Sequence, residues 1–312
     1  MRDSTVRRVV LSDAAAHPLR PGPDPAEIGP AVVAWVRELG GDVTDWRVLR
    51  GGSNRLLRLF PAPLVVKVHD KGKALRTGDL WVRREIAMAH HLARSGCRVV
   101  EPTSYPPPGP HRIADRAASL WRYVRLADQD ATDDSAATVL SETHEVLASL
   151  DLDLPSYDPA AECAAMLDAM PSNRFVDGER DVLHKAFMYL EVLRRPGQEV
   201  QWLHGDATMR NIRVSEAGAV LCDFEDAFRG PPMWDVASMV SPWWVDGDVT
   251  RCHRFARACA PEADVEELFS FVRARVVHSA VWSAWTGTGA PSDSRLRRLA
   301  WLRATVNRGL SQ

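Results

Sequence analysis

The chain has 312 residues, 46% of them hydrophobic and 26% charged, enough to bury one or two sizeable cores. Its 39 basic and 41 acidic side chains leave a formal charge of −2, so no global field points to nucleic acid or to an anionic membrane. No apolar run approaches the roughly 18 residues of a membrane span. The start, Met1-Arg2-Asp3-Ser4-Thr5, lacks the apolar region of a secretory signal, so a cytoplasmic chain without nucleic-acid or membrane partners is expected. Cys97, Cys163, Cys222, Cys252 and Cys259 are odd in number and show no C-x-x-C spacing, which reads as free buried thiols.

In chain order, residues 1–26 read as an N-terminal extension, Ala- and Pro-rich from Asp13, and Glu27 to Leu39 as a helix. Arg50-Gly51-Gly52-Ser53-Asn54-Arg55 joins two strand-like runs through a Gly pair whose N–H groups are suited to covering an anion, with Ser53 and Asn54 as candidate contacts; an ordinary turn is the competing reading. Leu64-Val65-Val66-Lys67-Val68 is a strand whose period of two puts Leu64, Val66 and Val68 on one face and Lys67 with Val65 on the other. A mid-strand lysine on an apolar segment is costly unless its ammonium meets anions, or unless it sits at a sheet edge with its head in solvent. From Asp79 to Gly96 the pattern is a capped helix with Val82, Ile86, Ala89 and Ala93 inside. Glu85 lies about 60° from the centre of that stripe, close enough to reach Lys67, with a surface i,i+4 role as the alternative.

Tyr105-Pro106-Pro107-Pro108-Gly109-Pro110 reads as a rigid spacer, and Ser119 to Val124 as a strand. The polar stretch after it forms a hinge that closes a first unit, 27–125, and opens a second, 126–312, beginning with an amphipathic helix from Ala136 to Leu150.

The densest chemistry runs from His204-Gly205-Asp206 through Asn211 to Asp223-Phe224-Glu225-Asp226. Ile212 to Ser215 and Ala219 to Cys222 form a hairpin around a three-residue turn, Glu216-Ala217-Gly218. Pairing Ser215 with Ala219 places Asn211 opposite Asp223, so that an amide oxygen and a carboxylate can share one hard cation, Mg²⁺ by preference. Asp206 at the start of the loop would meet a substrate hydroxyl beside that metal, a minimal kinase constellation.

At H-G-D-x-x-x-x-N, at the D-F-E segment one hairpin later, and at Gly230-Pro231-Pro232-Met233-Trp234-Asp235, the chain resembles the phosphotransferase enzyme family, the aminoglycoside phosphotransferase-like and choline kinase-like relatives of protein kinases. The resemblance implies an α+β, two-lobed protein kinase-like fold. Its small N-terminal antiparallel β-sheet lobe, 27–125, has one key helix, and its larger, mostly helical C-terminal lobe is 126–312. It implies ATP or GTP with Mg²⁺ as cofactors, Asp206 as the catalytic carboxylate, Asn211 and Asp223 as metal ligands, and Lys67, paired with Glu85, on the nucleotide phosphates. It further implies that Ser53 and Asn54 cover those phosphates and that the backbone near Tyr123 and Val124 meets the adenine edge. Asp235 would brace the loop, and His204 reads as packing beneath it. Glu225 stands where protein kinases carry the Gly of D-F-G, and Glu225 and Asp226 are open between a second metal and the substrate.

Only 11 residues separate Asp223 from Asp235, too few for the long activation loop of a protein kinase, so a small-molecule acceptor is expected. Trp243 and Trp244 are candidates for its pocket, and Trp282 and Trp285 are divided between pocket and core. A polycationic acceptor would call on Asp246, Asp248, Glu225 and Asp226, although Arg251 and Arg254 lie close by. The expected activity is transfer of a γ-phosphate to a hydroxyl of an aminoglycoside-like or other hydroxylated natural product, by a monomer or homodimer. The alternatives are a metabolic kinase for a small alcohol, amino alcohol or sugar, of choline or homoserine kinase type, and a silent nucleotide-binding module.

Overall fold

A computed structural model describes residues 25–50, 54–69, 79–113, 116–287 and 289–309. Helix α1, Pro25–Glu38, leads into strands β1, Val43–Arg50, β2, Asn54–Pro61, and β3, Leu64–His69. Helix α2, Leu80–Arg94, precedes β4, His111–Ile113, and β5, Arg116–Arg122. The five strands form one antiparallel sheet in the order β1-β2-β3-β5-β4, as the α+β reading requires. Helix α1 begins two residues earlier than its pattern predicts, at Pro25, a residue suited to the first helical turn.

The central strand β3 is buried along its whole length because a helix covers each face of the sheet. Ile28, Val32 and Val36 of α1 share a core with Leu57, Leu59, Val66 and Leu120. Val82, Met88 and Ala89 of α2 share another with Val65 and Trp121. This is why the segment reads as a nearly continuous apolar run, and it places Lys67 in the interior, away from any exposed edge. Asp79 precedes α2 without capping it through its side chain; its carboxylate instead meets Arg83 at 3.0 Å.

Beyond Arg122 the chain becomes mostly helical. Strand β6, Leu126–Asp130, pairs with β8, Ile212–Ser215, which pairs with β9, Gly218–Leu221. Strand β7, Gln201–Leu203, pairs with β10, Phe228–Gly230. Helices α3, Asp133–Leu147, α4, Pro159–Ala169, α5, Glu179–Ala186, α6, Met233–Val245, α7, Val249–Cys259, α8, Val265–Thr286, and α9, Asp293–Gly309, complete the second lobe. Helix α3 starts three residues before the apolar stripe suggests, because Thr132 caps it by accepting from the Ser135 N–H. Helix α8 is buried nearly all round, with Phe271, Val272, Val276, Val277 and Val281 packed between neighbours. None of the described helices is long and apolar enough to cross a membrane.

The lobes meet where β9 passes under the sheet. Leu221 N–H donates to Arg98 O at 2.9 Å and Val100 N–H to Leu221 O at 3.0 Å, which carries the residues after β9 to the foot of β3.

Candidate active site

The hairpin that carries the site closes one residue tighter than expected. Ser215 pairs with Gly218, Val214 with Ala219 and Ile212 with Leu221, around a two-residue turn of Glu216 and Ala217. The Ser215 hydroxyl decides this register: it accepts from Ala217 N–H at 3.2 Å and donates to Gly218 O at 3.0 Å, while Gly218 takes a φ of +100°. Asn211 therefore faces Cys222, whose N–H donates to Asn211 O at 2.9 Å. The expected pairing of Asn211 with Asp223 does not occur. Asp223 lies one step past the ladder with φ 72°, the single non-glycine residue at positive φ among the described residues. That left-handed turn aims its carboxylate back at Lys67.

Lys67 is the hub of the sheet-side wall. Its ammonium is 2.6 Å from Glu85, 2.6 Å from Asp223 and 3.3 Å from Glu225, so the pair expected from the phase of α2 is formed. Burial works against the charged lysine, yet the three carboxylates outweigh it and hold its pKa well above the ordinary value. Glu85 is pushed up to about 8 by burial, with Lys67 opposing and Asp223 and Glu225 adding to the rise. Three carboxylates around one ammonium leave surplus negative charge, an environment that favours a further cation. Asn54 at the start of β2 donates to Glu225 at 2.8 Å, joining the strand that follows the Gly pair to the second lobe. Ser53 lies outside the described residues. Glu225 is buried and turned toward Lys67, His69 and Asn54, so it belongs to the sheet-side wall. Asp226 lines the cleft.

Asp206 is held from both sides. Asn211 Nδ2 donates to Asp206 O at 2.9 Å and to its carboxylate at 3.2 Å, while Arg275 Nη2 reaches the other carboxylate oxygen at 2.5 Å. Burial raises the Asp206 pKa, with Arg275 pulling it down and Asp226 adding to the rise. The contact with Asp206 commits the amino end of Asn211 and leaves its amide oxygen available as a ligand, and the partly exposed Asp223 carboxylate lines the same cleft. Two hard oxygen ligands of this kind fit Mg²⁺, which takes one or two protein ligands and completes its shell with water and phosphate oxygens.

Beneath the loop, Asp235 in the first turn of α6 accepts from His204 N–H at 2.8 Å, Gly205 N–H at 2.9 Å and His144 Nε2 at 3.1 Å. Burial alone would raise its pKa, but the hydrogen bonds from the His144 ring and the His204 N–H, with the electrostatic influence of the two residues, bring it below the ordinary value. His204 Nδ1 accepts from Asp206 N–H at 3.2 Å, so its Nε2 carries the proton that reaches Cys222 O at 3.0 Å. Trp234 Nε1–H donates to Gly205 O at 2.9 Å. Both backbone N–H groups of the His-Gly pair and the Gly205 carbonyl are thus tied to α6, and the His204 ring to Cys222 and Asp206.

Lys67, Asp206, Asn211 and Asp223 line one cleft of about 950 Å³ that runs from Lys67, Tyr123 and Val124 to the ends of α8 and α9. Tyr123 N–H already donates to Pro63 O at 2.8 Å and its ring stacks under Arg58, while Tyr123 and Val124 both line the cleft. Trp243 and Trp282 line the cleft, but Arg251 covers the Trp243 ring at 3.9 Å. Trp244 is not a lining residue: it stacks on Phe269 at 5.4 Å, and Trp285 is buried in the core. Arg275, His278 and Arg298 line the cleft and were not singled out by pattern. The available signal was an arginine and a histidine three residues apart in a helix that is otherwise apolar.

A small antiparallel sheet lobe with a central lysine, above a helical lobe whose loop presents Asp206, Asn211 and Asp223, defines the two-lobed kinase-like class. Residues 35–268 match the Phosphotransferase enzyme family, and the chain belongs to it. The fold is similar to the crystal structure of choline kinase LicA from Streptococcus pneumoniae, with a TM-score of 0.66 at 14% identity over 90% of this chain and 99% of that one. It is also similar to the amicoumacin kinase hAmiN, solved with AMP-PNP, Ca²⁺ and Ami, with a TM-score of 0.66 at 13% identity over 85% and 88% of the two chains. A thermostable mutant of aminoglycoside phosphotransferase APH(4)-Ia, solved with AMP-PNP and hygromycin B, gives a TM-score of 0.63 at 15% identity over 90% of this chain and 100% of that one. Among curated proteins, none matches the chain by sequence.

Proposed function

We propose that the protein is an ATP-dependent, Mg²⁺-requiring kinase that phosphorylates a hydroxyl of a small molecule. The observation that carries this reading is the convergence of Lys67, Asp206, Asn211 and Asp223 on one cleft. Lys67 would bind the nucleotide phosphates. Asp206, fixed by Asn211 and Arg275, would orient the acceptor hydroxyl and take its proton late, as the new O–P bond forms and the bond from the γ-phosphorus to the bridging oxygen breaks, releasing ADP. Asn211 and Asp223 would hold Mg²⁺, which when bound neutralises charge on the phosphates. In a loose transition state positioning and charge neutralisation supply most of the rate, so a carboxylate whose basicity is restrained by an arginine suffices. GTP is the alternative donor, and a silent nucleotide-binding module is disfavoured by the complete set of Asp206, Asn211 and Asp223.

For the acceptor, the charges of the cleft favour a metabolic alcohol over a polycationic aminoglycoside. Asp246 pairs with Arg297 at 3.1 Å and Asp248 caps α7, so neither adds negative charge to the cleft, and Glu225 is engaged by Lys67. Asp206→Ala should lower kcat by two or more orders of magnitude while nucleotide affinity survives. Near-normal ADP release by that variant across a panel of hydroxylated metabolites and antibiotics would remove Asp206 from the reaction.

A further inference from the structure

Of the carboxylates that line the cleft, Glu85, Asp223 and Glu225 gather around Lys67, which leaves Asp206 and Asp226 for the end formed by α8 and α9. Against those two stand three guanidinium groups, Arg210, Arg275 and Arg298. Arg275 is matched: it is 4% exposed, pairs with Asp206, donates to His278 Nδ1 at 2.8 Å and lies over the Trp234 ring at 5.1 Å. Arg298 is not matched. It is half-buried, its one described hydrogen bond goes to the Ser283 hydroxyl at 3.2 Å, and no carboxylate lies within ion-pair distance of it among the described residues. Burial lowers its pKa, and Arg275, Arg210 and Arg297 press it further down while Asp206 offers partial relief. Arg297 has its own partner in Asp246, so the uncompensated charge stays with Arg298 and the exposed Arg210. The same end of the cleft is lined by the hydroxyl groups of Ser279, Ser283, Ser292 and Ser294. A desolvated guanidinium without a counter-ion, flanked by like charge and by hydroxyl donors, is an oxyanion-binding arrangement.

We propose that the acceptor carries an oxyanion, a carboxylate or a phosphate ester, which Arg298 and Arg210 bind at the α8–α9 end of the cleft while the acceptor's hydroxyl meets Asp206. This deepens the kinase reading and rests on it. The anion would also keep Arg275 on Asp206, because it supplies the charge that Arg298 lacks. Choline-like and polycationic acceptors would meet net positive charge at this end and be rejected.

The test is calorimetric titration of the full chain, first with Mg²⁺ and AMP-PNP, then, with the nucleotide saturating, with D-glycerate, inorganic phosphate, glycerol and choline. Glycerate or phosphate should bind at least about tenfold more tightly than glycerol, and the tighter of the two identifies the kind of oxyanion. Arg298→Gln should weaken that binding about tenfold or more and leave AMP-PNP affinity unchanged, a change of the size expected for one charge-assisted contact. Arg210→Gln, at an exposed position, provides the second variant should Arg298→Gln fail to fold. Failure of AMP-PNP to bind the wild-type chain would sink the kinase reading itself. With AMP-PNP bound, the inference is overturned if neither oxyanion exceeds glycerol, if choline binds best, or if oxyanion binding survives in the variants. It is equally overturned if Arg298→Gln folds but loses AMP-PNP affinity, which would assign the cluster to the nucleotide.

Discussion

Gly205 shows how tightly a single position is specified in the loop. Its φ is +85°, and a Cβ there would run into the carbonyl oxygen of Asp226. Both the backbone strain and the close approach of a main-chain atom forbid a side chain, so Gly205→Ala should cost about 3 kcal/mol or more and displace Asp206. Urea unfolding together with ADP release measures both effects. Asp235 carries a different lesson, because its carboxylate satisfies two buried N–H groups and His144 at once. Its folded-state pKa lies below the ordinary carboxylate value, so its contribution is full above the unfolded value near 3.9 and is lost as pH falls through the folded one. The urea midpoint of the wild type should therefore drop between about pH 4 and the acid limit. Asp235→Asn, which leaves one buried donor without an acceptor, should cost about 1–3 kcal/mol at neutral pH and flatten that part of the profile.

At the scale of elements, the site is made by three segments that would be ordinary alone. Strand β3 presents a lysine into the interior, α2 brings Glu85 to it, and the hairpin of β8 and β9 delivers Asp223 from below. The dependence is unequal. Lys67→Met leaves Glu85, Asp223 and Glu225 without their common cation, and should destabilise the chain by about 3–5 kcal/mol. Glu85→Gln leaves Lys67 with two carboxylates and should cost less; a reversed order in paired unfolding curves would show that Glu85, rather than Lys67, organises the cluster. The phase of α2 is legible in the sequence because its pattern is local. The hairpin register lies one residue from the one its pattern predicts, since the Ser215 hydroxyl closes the turn early and a hydroxyl has no periodicity.

For the whole molecule, the charged groups of the cleft separate into two ends. Around Lys67 one ammonium faces three carboxylates, and the α8–α9 end has three guanidinium groups against two carboxylates; Arg122, paired with Glu101, and Arg213 also line the cleft. Direct contacts cross between the lobes at Asn54–Glu225 and Lys67–Asp223. A ligand that binds only the folded cleft stabilises it by about 2.7 kcal/mol at one hundred times its Kd. Mg²⁺ with AMP-PNP should accordingly raise Tm by several degrees. In Asp223→Ala the Mg²⁺-dependent part of that rise should vanish, which thermal melts with and without the metal would reveal.

What the sequence determined by itself is the set of groups that sit close together along the chain or on one regular element: Asp206 with Asn211, Asp223 after its strand, Lys67 within its strand, Glu85 on its helix face. Spacing and period carry that information directly. What only the tertiary structure decided is which distant side chains complete the site. Arg275 reaches Asp206 from 69 residues away, and Arg298 lies on another helix again. Trp282 lines the cleft while Trp244 packs outside it. No local pattern distinguishes an arginine that faces solvent from one that faces a carboxylate across a cleft, because the difference arises from helix packing and the charges it brings together.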